Sequence, residues 1–250
     1  MIVYSPLEQF EIMTMHPVFF FDCINVSFTN VSLFMFLVIC ISLFWLGLSI
    51  YKSMILPTYW QIIWEEFYKT MVNTVHENLN VKGEKYFTFI FTLHLFLTFS
   101  NTLGMVPYSF TITSHIIFTF GTSLSIFMGM NMIGMKTHGL NFFSTFLPKG
   151  VPLVIMPLLV TMEFLSYIVK VFTLAIRLFA NMTSGHTLTK MIAGFAWTML
   201  TIGGTLSFTH TIPLVLLVAT VGTELAIAVL QAYVFTLLVC IYLNDVLETH

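Results

Sequence analysis

Charged residues are scarce in this chain of 250 residues. They make up 8% of it, against about 25% in an average soluble domain, and the mean hydropathy is +0.94. The formal net charge of −2 gives no reason to expect a nucleic-acid partner. Three cysteines are scattered without CxxC spacing, so they predict neither a disulfide framework nor a metal site. Because 58% of the residues are hydrophobic, the composition predicts an integral membrane protein.

Long apolar runs predict an all-α, polytopic fold in a single membrane domain. About 20 apolar residues in a helix cross a bilayer core. Three such runs precede residue 136, at 31–56, 86–106 and 112–135. In residues 58–80 the apolar residues recur at helical spacing along one side and charged residues mark the other side. This pattern predicts an amphipathic helix lying in the interface. Residues 1–30 are left as an outer N-terminal segment.

Lysine placement predicts the orientation. The first fifteen residues contain Glu8 and Glu11 but no lysine or arginine, so we expect no cationic targeting peptide. Six lysines follow the first or the third apolar run, namely Lys52, Lys69, Lys82, Lys85, Lys136 and Lys149. Since basic residues concentrate on the inner side of a membrane, we expect the N-terminus outside and the amphipathic helix and C-terminus inside.

The last hundred residues are apolar for longer than a membrane requires. Residues 152–201 would form a helix of about 75 Å at 1.5 Å per residue, which either breaks into two upright spans or lies steeply tilted. No proline follows Pro157 within this run, which favours the tilted helix. A turn near Gly203 and Gly204 would return the chain as a second helix over 206–245.

Ionisable residues inside apolar helices are costly, so each is a candidate functional residue. Glu163, Lys170, Arg177 and Ser184 are spaced by sevens and therefore share one stripe of the first long helix. Glu224, Gln231 and Asp245 keep the same spacing in the second, with Leu238 at the step between Gln231 and Asp245. If the chain folds back at Gly203, Arg177 lies opposite Gln231, Glu163 opposite Asp245, and His186 close to Glu224. This arrangement predicts two proton-accessible pockets separated by a fixed positive charge.

Arg177 is the only arginine in the chain. A guanidinium stays protonated under cellular conditions, so it cannot relay protons, but it can pair with a carboxylate that must lose its proton within the membrane. Simpler interpretations remain open: an ion pair that only joins helices, zinc at His186 and Glu224, or haem at His94 and His115. Asn181, one turn after Arg177, either orients the guanidinium or lines a polar path.

Four segments resemble subunit a of the mitochondrial F-type ATP synthase, most closely its plant and algal members. They are Ser5–Glu11, MVPYSFTITSH from Met105 to His115, IRLFANMTSGH from Ile176 to His186, and ELAIAVLQAYVFTLLVCIYLND from Glu224 to Asp245. The resemblance covers essentially the whole chain. It implies one upright helix, an amphipathic matrix-side helix, two more spans and a long, near-horizontal helical hairpin.

The resemblance also implies roles. Arg177 would face the carboxylates of the rotating c-ring; His186, Glu224, Asn181 and Gln231 would line the outer half-channel; Glu163 and Asp245 would line the matrix half-channel. Lys170 stands where relatives often carry arginine. The implied partners are the c-ring, the peripheral stalk, a second ATP synthase and membrane lipids in the mitochondrial inner membrane. We expect no nucleotide site and no cofactor, with cardiolipin as a candidate bound lipid. A secondary transporter and a structural or haem-bearing respiratory subunit are the alternatives.

Overall fold

Helices dominate the structure. The computed structural model describes residues 5, 7–20, 24–25, 27–50, 57–106, 109–139, 142, 155–202 and 210–247. This part of the chain contains six α-helices: α1 (Asn30–Ile50), α2 (Tyr59–Gly83), α3 (Phe87–Gly104), α4 (Ile116–His138), α5 (Met156–Ile202) and α6 (Thr211–Leu247). All except α2 are long and apolar enough to cross a membrane. The predicted all-α, polytopic membrane fold is confirmed.

The helix ends differ from the predicted spans by a few residues. The fourth helix begins at Ile116 rather than at 112, because Ile112–Ser114 form a buried 3-10 turn. Its geometry is fixed locally: the hydroxyl of Thr111 donates to Ser114 Oγ, which donates to the Thr111 carbonyl. Several predicted features lie outside the described residues, namely the first span beyond Ile50, Lys52, Lys149, and the turn at Gly203 and Gly204.

The N-terminal segment contains short strands that the sequence did not predict. Thr14–His16 (β1) pairs antiparallel with Phe28–Thr29 (β4), and Phe19–Phe20 (β2) pairs with Ile24–Asn25 (β3). Aromatic and β-branched residues favour extended backbone, but two- and three-residue strands give too short an alternation to recognise. The ribbons precede α1 directly.

The second helix is amphipathic, as its apolar spacing suggests. Met71, Val75 and Leu79 are almost completely buried, whereas Lys69 and Glu66 are exposed and form an ion pair at 3.0 Å. The hydrogen bond and negative charge of Glu66 raise the pKa of Lys69 above its ordinary value. One face of α2 therefore packs on protein while the other carries charge.

The fifth helix is continuous over 47 residues. At 1.5 Å per residue it is about 70 Å long, more than twice the roughly 30 Å of a hydrocarbon core. It is therefore one long helix and not two separate ones. The 37 residues of α6 likewise exceed the length that an upright span needs.

The chain forms two compact units. One comprises Met1–Leu43, Phe96–His115 and Leu178–Ala232, and the other comprises Phe44–Leu95, Ile116–Arg177 and Tyr233–His250. In the first unit, the fully buried amide of Asn101 in α3 donates to the Ala228 carbonyl in α6 at 3.0 Å. In the second, rings of α2 and α3 form an aromatic cluster of Trp64, Phe67, Tyr68, Phe87 and Phe91.

Candidate functional site

Arg177 lies exposed on α5, beside side chains that suit a membrane. Its neighbours Ile176 and Phe172 are 50% and 46% exposed. Within the described part of the chain Arg177 forms no ion pair; the pairs found there are Lys69–Glu66 and Lys170–Asp245. A permanent charge facing only lipid would be costly. An exposed, unneutralised guanidinium on such a helix therefore calls for water or for a carboxylate of another chain.

His186 and Glu224 line a common pocket in the first unit, as predicted. The pocket has a volume of about 100 Å³ and is lined by Met105, Asn181, Met182, Ser184, Gly185, His186, Glu224 and Ile227. His186 Nε2 and Glu224 Oε1 are shielded, and no atom of the described residues hydrogen-bonds to either. The space admits several water molecules, and buried polar atoms normally have partners. The pocket thus brings one basic and one acidic side chain together around the same small cavity.

Gly185 allows Glu224 to reach this position. A Cβ atom at Gly185 would lie 3.1 Å from both Cγ and Cδ of Glu224, which is tighter than ordinary van der Waals contact. Glycine costs up to about 1 kcal/mol relative to alanine inside a helix. The glycine was visible in the sequence as an interruption of the long run, but its contact with Glu224 was not.

Asn181 and Gln231 contact each other directly. Asn181 Nδ2 donates to Gln231 Oε1 at 3.0 Å. Asn181 lies one helical turn after Arg177, the residue that was predicted to lie opposite Gln231. Gln231 is only 5% exposed, and a buried amide needs a hydrogen-bonding partner such as this one. The pairing of Arg177 with Gln231 stays a prediction.

Asp245 pairs with Lys170 in the second unit. Lys170 Nζ lies 3.4 Å from Asp245 Oδ2 and 4.9 Å from the centre of the Tyr242 ring. The predicted partner of Asp245 was Glu163, seven residues earlier on α5, which is exposed. Opposite charges attract whereas two carboxylates repel, so the structure pairs Asp245 with Lys170 in place of Glu163 and gives Lys170 a contact that the sequence had not assigned.

A further polar contact on α5 was not anticipated. The Tyr167 hydroxyl donates to Asn131 Oδ1 of α4, and the Tyr167 ring packs against Phe127 at 4.7 Å between centroids. Both partners lie in the second unit and hold α4 against the first half of α5. The only feature of the sequence that could have indicated this contact is the presence of a tyrosine and an asparagine within apolar runs.

The two histidines considered for haem have other neighbours. His94 is buried, lies 3.2 Å from Thr236 Oγ1 through its Nδ1 atom, and stacks on Phe67. His115 stacks on Phe110 at 5.1 Å, and burial lowers its pKa below the ordinary value. Among the described residues, no group of three or more His, Cys, Asp or Glu is placed to hold a metal ion.

Five helices of the described residues are able to span a membrane, and the two longest, α5 and α6, carry carboxylate side chains within their apolar runs; they define a multi-pass membrane protein. The family model of the ATP synthase A chain matches residues 30–244. The chain is 63% identical to ATP synthase subunit a of Chondrus crispus, over 100% of this chain and 98% of the relative. It is 46% identical to that of Marchantia polymorpha (98% and 99%) and 44% identical to that of Brassica napus (100% and 98%).

The chain therefore belongs to the ATP synthase A chain family. The predicted recognition as a subunit a similar to algal and plant ones is confirmed. Membership gives the chain a role in the F-type ATP synthase and makes other subunits of that enzyme its partners.

Proposed function

We propose that this chain is the stationary proton-conducting subunit of the ATP synthase, with Arg177 as its essential charge. One observation carries the proposal: the only arginine is exposed on an apolar helix and forms no ion pair within the described part of the chain. Its counter-ion then belongs to another chain, and a carboxylate on a ring of c subunits fits that need. The chain itself binds no nucleotide in this proposal.

The guanidinium works by remaining charged. A protonated ring carboxyl group that approaches Arg177 loses its proton to the matrix half-channel, because the positive charge favours the carboxylate. The carboxylate passes Arg177 and regains a proton from the outer half-channel before it enters lipid. Since Arg177 neither gains nor loses a proton, it blocks direct leakage between the two half-channels while rotation proceeds.

The remaining polar residues form the two half-channels. His186 and Glu224, which share one pocket, exchange protons with the outer compartment. Asn181 also lines that pocket, and its hydrogen bond connects the pocket to the buried Gln231. Glu163 and Asp245 serve the matrix half-channel; both are exposed on their helices.

We place the chain in the mitochondrial inner membrane, with its N-terminus in the intermembrane space and its C-terminus toward the matrix. The lysines at the inner ends of the spans support this orientation. Long helices α5 and α6 then lie strongly tilted, because an upright helix of their length would project far beyond the bilayer. The proposed neighbours are the c-ring, the peripheral stalk and a second ATP synthase, with cardiolipin at matrix-side lysines.

Replacement of Arg177 tests the proposal. Arg177→Ala and Arg177→Gln are introduced into the enzyme, which is reconstituted in vesicles, and ATP-driven proton uptake is measured per assembled complex. We expect uptake to fall at least about 100-fold, since a charge that stabilises a buried carboxylate is worth several kcal/mol.

The matched control is Lys190→Gln, which removes an exposed positive charge from the same helix outside the proposed path. It should keep uptake within about twofold of the unchanged enzyme, as expected for a surface charge. Near-normal uptake in both Arg177 variants would refute the proposal.

A further inference from the structure

The N-terminal segment contacts His186, one of the residues that line the pocket. The Phe10 ring lies edge-on to the His186 ring, with 6.5 Å between the centroids and 76° between the planes. This is the range and geometry preferred by ring pairs. Phe10 is half-buried, and its contact comes from a part of the chain more than 170 residues away in sequence. The pocket residues on α5 and α6 therefore have a neighbour that belongs to neither helix.

The segment is held firmly enough to position a side chain. Phe10 ends a 3-10 turn, Glu8–Phe10, in which its amide donates to the Leu7 carbonyl at 3.0 Å. Asn30, the first residue of α1, holds the residues that follow this turn. Its Nδ2 atom donates to the Glu11 carbonyl at 3.0 Å, and its Oδ1 atom accepts from the Met13 amide at 3.3 Å. The Asn30 amide in turn donates to the Met13 carbonyl at 3.1 Å, beside the β1–β4 pair.

His186 needs such a neighbour. The terminal torsion of a histidine has a broad energy profile, so packing must select the orientation of the ring. His186 Nε2 has no hydrogen-bond partner among the described residues that would select it, and Gly185 next to it offers no side chain to pack against. An aromatic ring edge-on to the imidazole restricts its rotation without competing for its nitrogen atoms.

We propose that Phe10 is a positioning residue that holds the His186 ring in the orientation required for proton exchange in the pocket. The N-terminal segment thus acts on proton transfer through its contact with His186. This inference rests on the proposed function of His186.

The experiment combines changes at the two rings. Phe10→Leu removes the ring at similar volume and Phe10→Tyr keeps it, and each is made in the unchanged enzyme and in a His186→Ala background. Phe28→Leu, at an exposed ring of the same N-terminal segment, is the matched control. ATP-driven proton uptake of reconstituted vesicles is measured per assembled complex, so that loss of assembly is not counted as loss of transfer.

We expect Phe10→Leu to lower uptake roughly three- to tenfold, as the loss of one ring contact allows. Phe10→Tyr and Phe28→Leu should stay within about twofold of the unchanged enzyme. In the His186→Ala background, Phe10→Leu should add less than about a twofold loss, because residues that act as a unit are not additive.

An unchanged rate with Phe10→Leu, or an equal further loss without His186, would overturn the inference. So would failure of both Phe10 variants to assemble, because the segment would then be needed for assembly alone. His186→Ala by itself reports on the proposed function. If it leaves uptake unchanged, His186 is not on the path, whereas a loss with His186→Ala and none with Phe10→Leu refutes only the role of Phe10.

Discussion

The two carboxylates of α6 stand in contrasting surroundings. Glu224 shares a pocket with a histidine, and no lysine or arginine pairs with it in the described part of the chain. Asp245 is exposed and has Lys170 at 3.4 Å. The nearest ionisable neighbour is thus a histidine for Glu224 and a lysine for Asp245. We expect substitutions at the two places to differ in size of effect for this reason.

Among the changes that test this contrast, removal of the acidic group of Glu224 should lower proton flow the most. We expect Glu224→Gln to slow proton flow at least tenfold in both directions, because the amide cannot exchange a proton at the pocket. Flow is measured in vesicles as ATP-driven uptake and as passive flux. Glu77→Gln, on the exposed side of α2, is the control, and equal rates for Glu224→Gln and Glu77→Gln would remove Glu224 from the path.

Gly185→Ala should move the Glu224 carboxyl group without removing it. The new Cβ atom would stand 3.1 Å from two Glu224 atoms, so the side chain must shift by a few tenths of an ångström. We expect proton uptake to fall roughly two- to tenfold, since small displacements at a reacting group are costly.

Gly194→Ala is its matched control. It places the same methyl group on the same helix, where no heavy atom lies within 4 Å, and should leave uptake unchanged. A similar loss in both variants would mean that helix flexibility, and not the position of Glu224, limits the rate.

A smaller effect is expected at Lys170. The Lys170 and Asp245 side chains are 35% and 55% exposed, and such pairs contribute at most about 1 kcal/mol. Lys170→Gln should therefore lower proton uptake less than about threefold, and Lys170→Arg should restore it. A loss as large as that of Glu224→Gln would show that the two carboxylates are not functionally distinct in the way their surroundings indicate.

The smallest expected effect is on how the stability of the protein depends on pH. Burial lowers the pKa of His115, so the folded protein binds fewer protons there than the unfolded chain. Stability from this group is complete above the ordinary histidine pKa of about 6.5 and is lost as the pH falls toward the lower folded value. We expect the melting temperature to fall by roughly 1–3 °C more between pH 7.5 and 5.5 in the unchanged protein than in His115→Gln. Equal pH dependence in the two proteins would contradict this.

Helix positions followed from local sequence, but helix contacts did not. The run of apolar residues after Pro157 favoured one long helix over two upright spans, and α5 is continuous. By contrast, pairing by a count from a turn at Gly203 placed Gln231 opposite Arg177 and Asp245 opposite Glu163. In the structure Gln231 hydrogen-bonds to Asn181, and Asp245 pairs with Lys170. A count assumes a constant register, whereas side-chain packing and charge set the register of two helices.

The sequence alone determined that this is a multi-pass helical membrane protein of the ATP synthase A chain family with one arginine in an apolar helix. Composition can be counted without any structure. Hydrophobic periodicity and short motifs are each set by residues within a few helical turns of one another. Only the tertiary structure decided that Phe10 contacts His186, that Gly185 makes room for Glu224, and that Lys170 pairs with Asp245. These contacts join residues far apart in sequence, and their geometry depends on how whole helices pack.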